Sequence, residues 1–383
     1  MDTNTFPKLF EERVSNPLIS SFENLTDTRM KRGIRYHFKP LMILLFLSKL
    51  GGADTPAEIA DWVTFRFTQL KQLLSLGWPR SPHEATWKRF YDQVLEAVEL
   101  EAVIGEFLRG LSAQETELLN LDGKCLRSTI EEESTRQLHL LALHESEENL
   151  TVGQTALAAG ENEISAAKRL LKKAVLKKKI VSGDAMFAQQ ELAQTVVGRG
   201  GEYLWKLRAN QGGIYEQVRT HFEGPADRYV GRAKSLEKGH GRLEEREIVS
   251  SFRLAGRLEF PYLAQVFRIT RKSAEIKSGR QTEQQMYGVT SLPVEEYGAA
   301  ELLDLTRKHW RIENGLHYRR DVTFKEDKIR KKSSNGGQVM AALNNLAIGI
   351  LRKAGWENLA KARRYYAVHV AEALELILQP LIL

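Results

Sequence analysis

The chain has 383 residues, with 56 Lys plus Arg against 49 Asp plus Glu and a formal net charge of +7. Its length predicts two or three domains, and a hydrophobic fraction of 42% excludes a chain that is disordered throughout. The single cysteine, Cys125, excludes a disulfide scaffold and a Cys-rich zinc module, and we expect it to be a small core residue in a reducing compartment. The longest apolar run, 41–47, is too short to cross a membrane, and the first residues lack the pattern of a signal peptide. We therefore expect a cytoplasmic protein with no membrane partner.

The first 115 residues predict a helical N-terminal domain. Apolar residues recur at helical spacing over 40–50 and 56–76, and residues 81–84 resemble a helix start. A basic stretch, 29–35, precedes them and contains Arg32 and Arg35. These arginines are candidates for contacts with DNA phosphates, with a solvated arm as the alternative interpretation.

From residue 117 onward the pattern predicts strands that alternate with helices. The predicted strands are 118–122, 137–143, 150–157, 179–184 and 203–207, and the predicted helices between them are 164–175 and 189–197. The order β-β-β-α-β-α-β predicts an α/β fold, with a mixed sheet flanked by helices. A β-rich segment at about 212–298 is predicted to follow, and then three helices at 299–318, 337–351 and 356–378.

Two acids stand at the ends of neighbouring predicted strands. Asp122 ends the first strand and Asp184 ends the fourth. Phosphoryl transfer with two metal ions needs carboxylates from different elements that converge on ions about 4 Å apart, and these two aspartates have that placement. The alternative interpretation for each is an ordinary turn or helix cap.

A polar stripe is predicted on the helix that begins at 299. At about 3.6 residues per turn it comprises Thr306, His309, Glu313, His317 and Arg320. An acid centred among His and Arg on one face is unusual for a helix that is merely solvated. In the alternative interpretation the two histidines pack in the core and Glu313 pairs with Arg320 or Arg311.

Ordered motifs run through nearly the whole chain. They are Asp122-Gly123-Lys124 after a strand, Asn162-Glu163-Ile164, Asp184-Ala185-Met186, Asn210-Gln211, and the segments 239–246, 309–318 and 321–327, preceded by 32–37 and 81–90. Together they resemble the bacterial insertion-sequence DDE transposases, specifically the H-repeat-associated group, and 32–37 and 81–90 resemble the amino-terminal associated domain of that group.

The resemblance implies an RNase H-like catalytic domain over 116–383, with the β-rich insertion at about 212–298. It also implies an acidic triad of Asp122, Asp184 and Glu313 that holds two Mg²⁺ ions, with Mn²⁺ as a substitute. Related transposases carry a Tyr-Arg-Glu-Lys pattern around the last acid, and in this chain only the Glu of that pattern is kept.

Contacts with DNA are predicted for cationic and histidine side chains near these motifs. In addition to Arg32 and Arg35, they are Lys124, Arg208, His240, Arg242, Arg246, His309, His317 and Arg320. The alternative for each cation is ordinary surface charge. Residues 307–332 hold ten Lys or Arg against four acids, so the positive charge is concentrated around Glu313.

The resulting hypothesis is a Mg-dependent DDE transposase, a polynucleotidyl transferase and endonuclease that binds the terminal inverted repeats of its element. We expect double-stranded DNA as its partner, both repeats and target, a homodimer on that DNA, and association with the nucleoid when bound. Two alternatives stay open. One is a non-catalytic descendant that binds DNA as a repressor or architectural factor, and the other is an RNase H-like nuclease without strand transfer.

Overall fold

The computed structural model describes residues 17–32, 34–112, 118–130, 137–225, 230–239, 241–309, 312–329 and 333–378, and for 128–130 and 314 the backbone alone. The α-helices are α1 (Pro17–Glu23), α2 (Phe38–Leu50), α3 (Pro56–Phe65), α4 (Phe67–Leu73), α5 (Glu84–Arg89), α6 (Ala97–Gly110), α7 (Glu163–Lys173), α8 (Gln190–Gly198), α9 (Gly213–Glu223), α10 (Ala299–His309), α11 (Ser334–Lys353), α12 (Leu359–Val368) and α13 (Val370–Leu378). The strands are β1 (Leu118–Ile130), β2 (Gln137–Glu145), β3 (Leu150–Ala156), β4 (Ile180–Gly183), β5 (Glu202–Leu207), β6 (Gly231–Gly239), β7 (Arg242–Ser251), β8 (Gln265–Glu275) and β9 (Gln281–Thr290).

The chain divides into two compact units. The first comprises Met1–Gln114, Gly123–Leu157 and Glu313–Leu383, and the second comprises Glu115–Asp122 and Ala158–Ile312. Strand β1 therefore contributes residues to both. The division at residue 115 into an N-terminal and a catalytic domain stays a prediction.

The first unit is mainly helical and contains the pair β2 and β3, which is antiparallel. Helix α2 covers the predicted segment 40–50, whereas 56–76 forms two helices, α3 and α4. A capping box starts α3, because the Thr55 side chain accepts a hydrogen bond from the Glu58 backbone and Glu58 caps in return. Residues 336–351 of α11 are all buried, so this helix forms the centre of the unit.

The second unit is built on parallel strands that continue into an antiparallel extension. Strand β4 pairs in parallel with the first residues of β1 and with β5. Strand β9 pairs antiparallel with β5, and β8, β7 and β6 follow in that order. Helix α10 packs on this extension, and its Leu302 and Leu303 share a core with Ile248 and Ile269. The predicted β-rich segment at about 212–298 contains these four strands, and it also contains α9, a helix that was not predicted.

The predicted fold class is confirmed. Three strands, a helix, a strand, a second helix and a further strand follow one another as β1-β2-β3-α7-β4-α8-β5. This is the RNase H-like arrangement, a mixed sheet flanked by helices, and here it carries a β-rich insertion and a helical N-terminal part. Among the described residues, no helix combines the length and the hydropathy that crossing a membrane requires.

The prediction of one α-helix over 299–318 is confirmed over Ala299–His309. Residues 310 and 311 lie outside the described part of the chain, and Glu313–His317 and Arg319–Thr323 are wound as π-helix. In a π-helix each hydrogen bond spans five residues rather than four, so the 3.6-residue period used to draw the stripe does not apply. The predicted helix over 356–378 is likewise two helices, α12 and α13.

Candidate active site

Two acids meet at the sheet edge of the second unit. Strands β1 and β4 are parallel, and their register pairs Leu121 with Gly183. The residues that follow this pair are Asp122 on β1 and Asp184, which comes directly after the end of β4 and caps a short 3-10 turn. Because neighbouring strands lie about 4.8 Å apart, the backbone places the two predicted acids beside each other at this edge.

Asp184 is held by two cationic or polar side chains. Lys206 Nζ lies 2.8 Å from Asp184 Oδ1, and His309 Nε2 lies 3.4 Å from the same oxygen. The hydrogen bond from His309 and the charge of Lys206 hold the pKa of Asp184 well below its usual range, although burial opposes them. Asp184 is thus an ionised carboxylate at neutral pH.

His309 belongs to a buried chain of hydrogen bonds. The Ser182 hydroxyl donates to Asn120 Oδ1 at 2.6 Å, and Ser182 Oγ lies 3.0 Å from His309 Nδ1. The Ser182 hydroxyl thus contacts the His309 ring at Nδ1, with donor and acceptor set by the tautomer of His309, and this contact orients the ring so that Nε2 faces Asp184. Burial lowers the pKa of His309, and the charges of Asp184 and Asp122 oppose that shift.

The position of His309 differs from its predicted role. It was predicted to contact DNA phosphates, but only 6% of the residue is exposed and its ring contacts Asp184. It is therefore a residue that orients a carboxylate. Lys206 contacts the same carboxylate, and no role was predicted for it. It directly follows Trp205 in the apolar strand β5.

Three members of the predicted stripe, Glu313, His317 and Arg320, lie in the first unit, whereas Thr306 lies with His309 in the second. Glu313 is exposed and begins a π-helical turn, and His317 is buried. Arg320 is fully buried, and its Nε donates to Glu326 Oε2 at 2.6 Å. Gln154 also accepts from the guanidinium, at 3.3 Å. A side chain enclosed in this way cannot reach DNA, so the prediction of a phosphate contact by Arg320 is corrected.

The donor set at the sheet edge suits a hard divalent cation. Asp122 and Asp184 offer carboxylate oxygens, which Mg²⁺ and Mn²⁺ prefer. Within the described ranges, no group of three His, Cys, Asp or Glu side chains is close enough to hold a metal. Asp122 and Asp184 would supply two of the ligands of such a cation.

A groove with a volume of about 790 Å³ opens beside Asp184, within the second unit. Its basic residues are Lys206, Arg208, Arg246, Arg271, Arg307 and Lys308, and its acidic residues are Asp184, Glu237 and Asp304. Basic residues are in excess, as at surfaces that bind phosphodiesters. Of the predicted DNA contacts, Arg208 and Arg246 line this groove, and Arg208 is exposed, whereas Arg246 pairs with Glu237 and Glu244.

The other predicted contacts are dispersed. Arg242 is exposed, and its Nη2 lies 3.4 Å from Oε1 of Glu275, its partner across β7 and β8. Lys124, in the first unit, is ion-paired with Asp321, and only 10% of its side chain is exposed. His240 lies outside the described residues.

A second groove, of about 1180 Å³, lies among the N-terminal helices of the first unit. Arg32 and Arg35 line it together with Arg80, and all three are exposed. Among the described residues, none of the three has a carboxylate within 4 Å. The lining holds five arginines in all, against the two acids Asp61 and Glu84, so basic residues are in excess here as well.

The chain was compared with known families and proteins. The family described as "Transposase DDE domain" matches residues 117–350, and the one described as "DDE_Tnp_1-associated" matches 19–108. The chain is 26% identical over 351 residues to "Putative transposase YncI" of Escherichia coli O157:H7, covering 88% of this chain and 87% of that protein. It is 25% identical over 348 residues to "H repeat-associated putative transposase YhhI" of Escherichia coli (strain K12), covering 87% and 90%.

A solved structure of a piggyBac transposase synaptic complex with hairpin DNA aligns with a TM-score of 0.43 and 12% identity, over 97% of this chain and 81% of that one. The family matches agree with the resemblance of the motifs, which is confirmed. The DDE domain match alone covers more than half of the chain. The protein belongs to the DDE transposase family.

Proposed function

We propose that the protein is a transposase that cleaves DNA strands at the ends of its element and joins them to target DNA, with Asp122, Asp184 and Glu313 as metal ligands. The observation that supports this proposal is the register of the adjacent parallel strands β1 and β4, because Asp122 and Asp184 each directly follow its last pair, Leu121 and Gly183. Two carboxylates from separate strands are what a two-metal phosphoryl transfer requires.

Each residue has a defined part in the proposed mechanism. Asp122 and Asp184 supply oxygen ligands, and Glu313 supplies the third carboxylate. Bound Mg²⁺ or Mn²⁺ supplies Lewis-acid activation of the attacking hydroxyl and of the leaving oxygen. His309, oriented by Ser182, holds the Asp184 carboxylate in one position, which limits the reorganisation needed when substrate binds.

The two basic grooves are the proposed DNA surfaces. The groove beside Asp184 receives the strand that is cut, and Arg208 provides a cation for its phosphates. The N-terminal groove, with Arg32 and Arg35, holds the terminal inverted repeat. We further propose a homodimer on DNA, because two ends must be joined in one reaction.

The test uses purified protein and linear DNA that carries the inverted repeats flanking the coding sequence, with Mg²⁺. We expect wild type to cut and join the ends, and folded Asp184→Asn to do neither. Asp304→Asn is the matched control, because Asp304 lines the same groove but pairs with Lys308. Activity that survives Asp184→Asn would contradict the proposal. DNA binding without cleavage would identify a non-catalytic binder, and cleavage without joining would identify a nuclease.

A further inference from the structure

Lys206 completes a row of three charged side chains across parallel strands. The register pairs Leu121 with Gly183 and Gly183 with Trp205. The next residues are Asp122 on β1, Asp184 directly after the end of β4, and Lys206 on β5. The backbone therefore places Lys206 beside Asp184, and its ammonium group contacts the Asp184 carboxylate.

The contact between Lys206 and Asp184 is close and partly shielded from water. Nζ lies 2.8 Å from Oδ1, and only 14% of the Lys206 side chain is exposed. Removal of water strengthens such a pair relative to one on an open surface. An ammonium group at this distance neutralises the carboxylate and repels a divalent cation that would use the same carboxylate as a ligand.

The groove beside Asp184 offers Lys206 an alternative partner. Lys206 lines it together with Arg208 and Lys308, in the surface that we assign to the cut strand. A DNA phosphate at this point would attract the ammonium group and draw its charge away from Asp184. The carboxylate would then be available to a cation.

We propose that Lys206 is a positioning residue that holds the Asp184 carboxylate until DNA arrives, and so couples metal binding to DNA binding. This inference rests on the proposed function, because it takes Asp184 as a metal ligand. Without DNA, Lys206 weakens the binding of the divalent cation. With DNA, Lys206 turns to the phosphate and the cation binds more tightly. By thermodynamic reciprocity, the cation then also tightens DNA binding.

The first test measures the affinity of DNA-free protein for Mn²⁺ by titration calorimetry. We expect Lys206→Gln to bind Mn²⁺ about tenfold more tightly than wild type, because a competing positive charge is lost. Lys206→Arg keeps the charge and should bind as wild type does. Lys308→Gln is the matched control. Lys308 lines the same groove, but its ammonium group pairs with Asp304, with Nζ 3.1 Å from Oδ2, and not with Asp184. Its affinity for Mn²⁺ should not change.

The second test measures the coupling directly. The affinity for a fluorescent DNA duplex is measured by anisotropy with and without Ca²⁺, which allows binding to be followed without cleavage. Wild type should bind the duplex more tightly with Ca²⁺, and Lys206→Gln should lose most of that gain. Both results would support the coupling.

Three outcomes overturn the inference. The first is that Lys206→Gln binds Mn²⁺ no more tightly than wild type, and the second is that Ca²⁺ increases the duplex affinity of Lys206→Gln as much as that of wild type. The third is that Lys308→Gln gains as much Mn²⁺ affinity as Lys206→Gln does. In each case Asp184→Asn still distinguishes the two proposals. If wild type binds Mn²⁺ and Asp184→Asn does not, Asp184 remains a ligand and only the role of Lys206 fails. If Asp184→Asn binds as wild type does, both proposals fail.

Discussion

Gly183 and Trp205 are register partners on β4 and β5, and the Trp205 ring lies where a side chain on Gly183 would project. A β-carbon on Gly183 would be 2.7 Å from Trp205 Cζ3 and 3.0 Å from Phe187 Cδ2. Real β-carbons do not approach other atoms this closely, so the position before Asp184 requires glycine.

We expect Gly183→Ala to lower the free energy of unfolding by about 1–3 kcal/mol, because the Trp205 ring must move in a packed core. Urea denaturation measures this change. Gly198→Ala is the control, because nothing lies within 4 Å of the place of its β-carbon at the end of α8. That substitution should be neutral or stabilise by up to about 1 kcal/mol. Equal effects at the two glycines would contradict the packing argument.

Ser182→Ala should reduce strand cleavage about 10- to 100-fold while the protein stays folded, because His309 loses the hydroxyl that orients its ring. The rate of cleavage of end-containing DNA is the measurement. Thr306→Val is the control, because Thr306 lies on α10, the helix that carries His309. Its hydroxyl donates to the Leu303 carbonyl at 2.8 Å. A similar loss in both variants would show that the effect of Ser182→Ala is not specific to His309.

Arg320→Ala should destabilise the fold by about 3–5 kcal/mol, because it leaves the buried Glu326 without its guanidinium partner. Thermal and urea unfolding measure the loss. If Arg320→Lys folds normally and binds DNA more weakly, Arg320 contacts DNA after all.

Arg208→Ala should leave the free energy of unfolding unchanged and weaken DNA binding. The affinity of the variant for DNA should also depend less on salt concentration than that of wild type.

His144 predicts a loss of stability in mild acid. It is fully buried, and burial, assisted by the charge of His317, lowers its pKa from 6.5 to about 3. Below pH 6.5 the unfolded chain binds a proton at this residue and the folded protein does not, so stability falls as pH decreases towards 3. The slope from one such residue approaches about 1.4 kcal/mol per pH unit.

Urea unfolding between pH 7 and pH 5 tests this prediction. His144→Gln should show a shallower decrease over that range and no added dependence above pH 7. An unchanged slope in the variant would show that other groups cause the acid sensitivity.

The elements that carry Asp122 and Asp184 were predictable because their signals are local. Each acid follows a short apolar run, and neighbouring parallel strands must end at the same edge. The same reasoning could have found Lys206, which follows Trp205 in another apolar run. No local pattern indicated its role, because its partner Asp184 lies 22 residues earlier in the chain.

The positions of His309 and Arg320 could not be predicted from local patterns. The partners of Arg320 are Glu326, which is near in sequence, and Gln154, which is 166 residues away. The sequence around an arginine in a basic stretch does not indicate that the folded protein buries it against a distant partner. The π-helical turns after Ile312 also change which residues share a face, and the sequence period does not reveal them.

The β-rich insertion begins and ends on the same strand pair. Leu204 to Leu207 on β5 pair with Thr290 to Tyr287 on β9, so the chain returns beside the point from which it left. Lengthening or shortening the hairpin at 275–281 would change how far the insertion extends from β5 and β9. It would leave β4, β5 and Asp184 where they are. The insertion can therefore diverge in length and sequence between relatives while the strands beside the two aspartates stay the same.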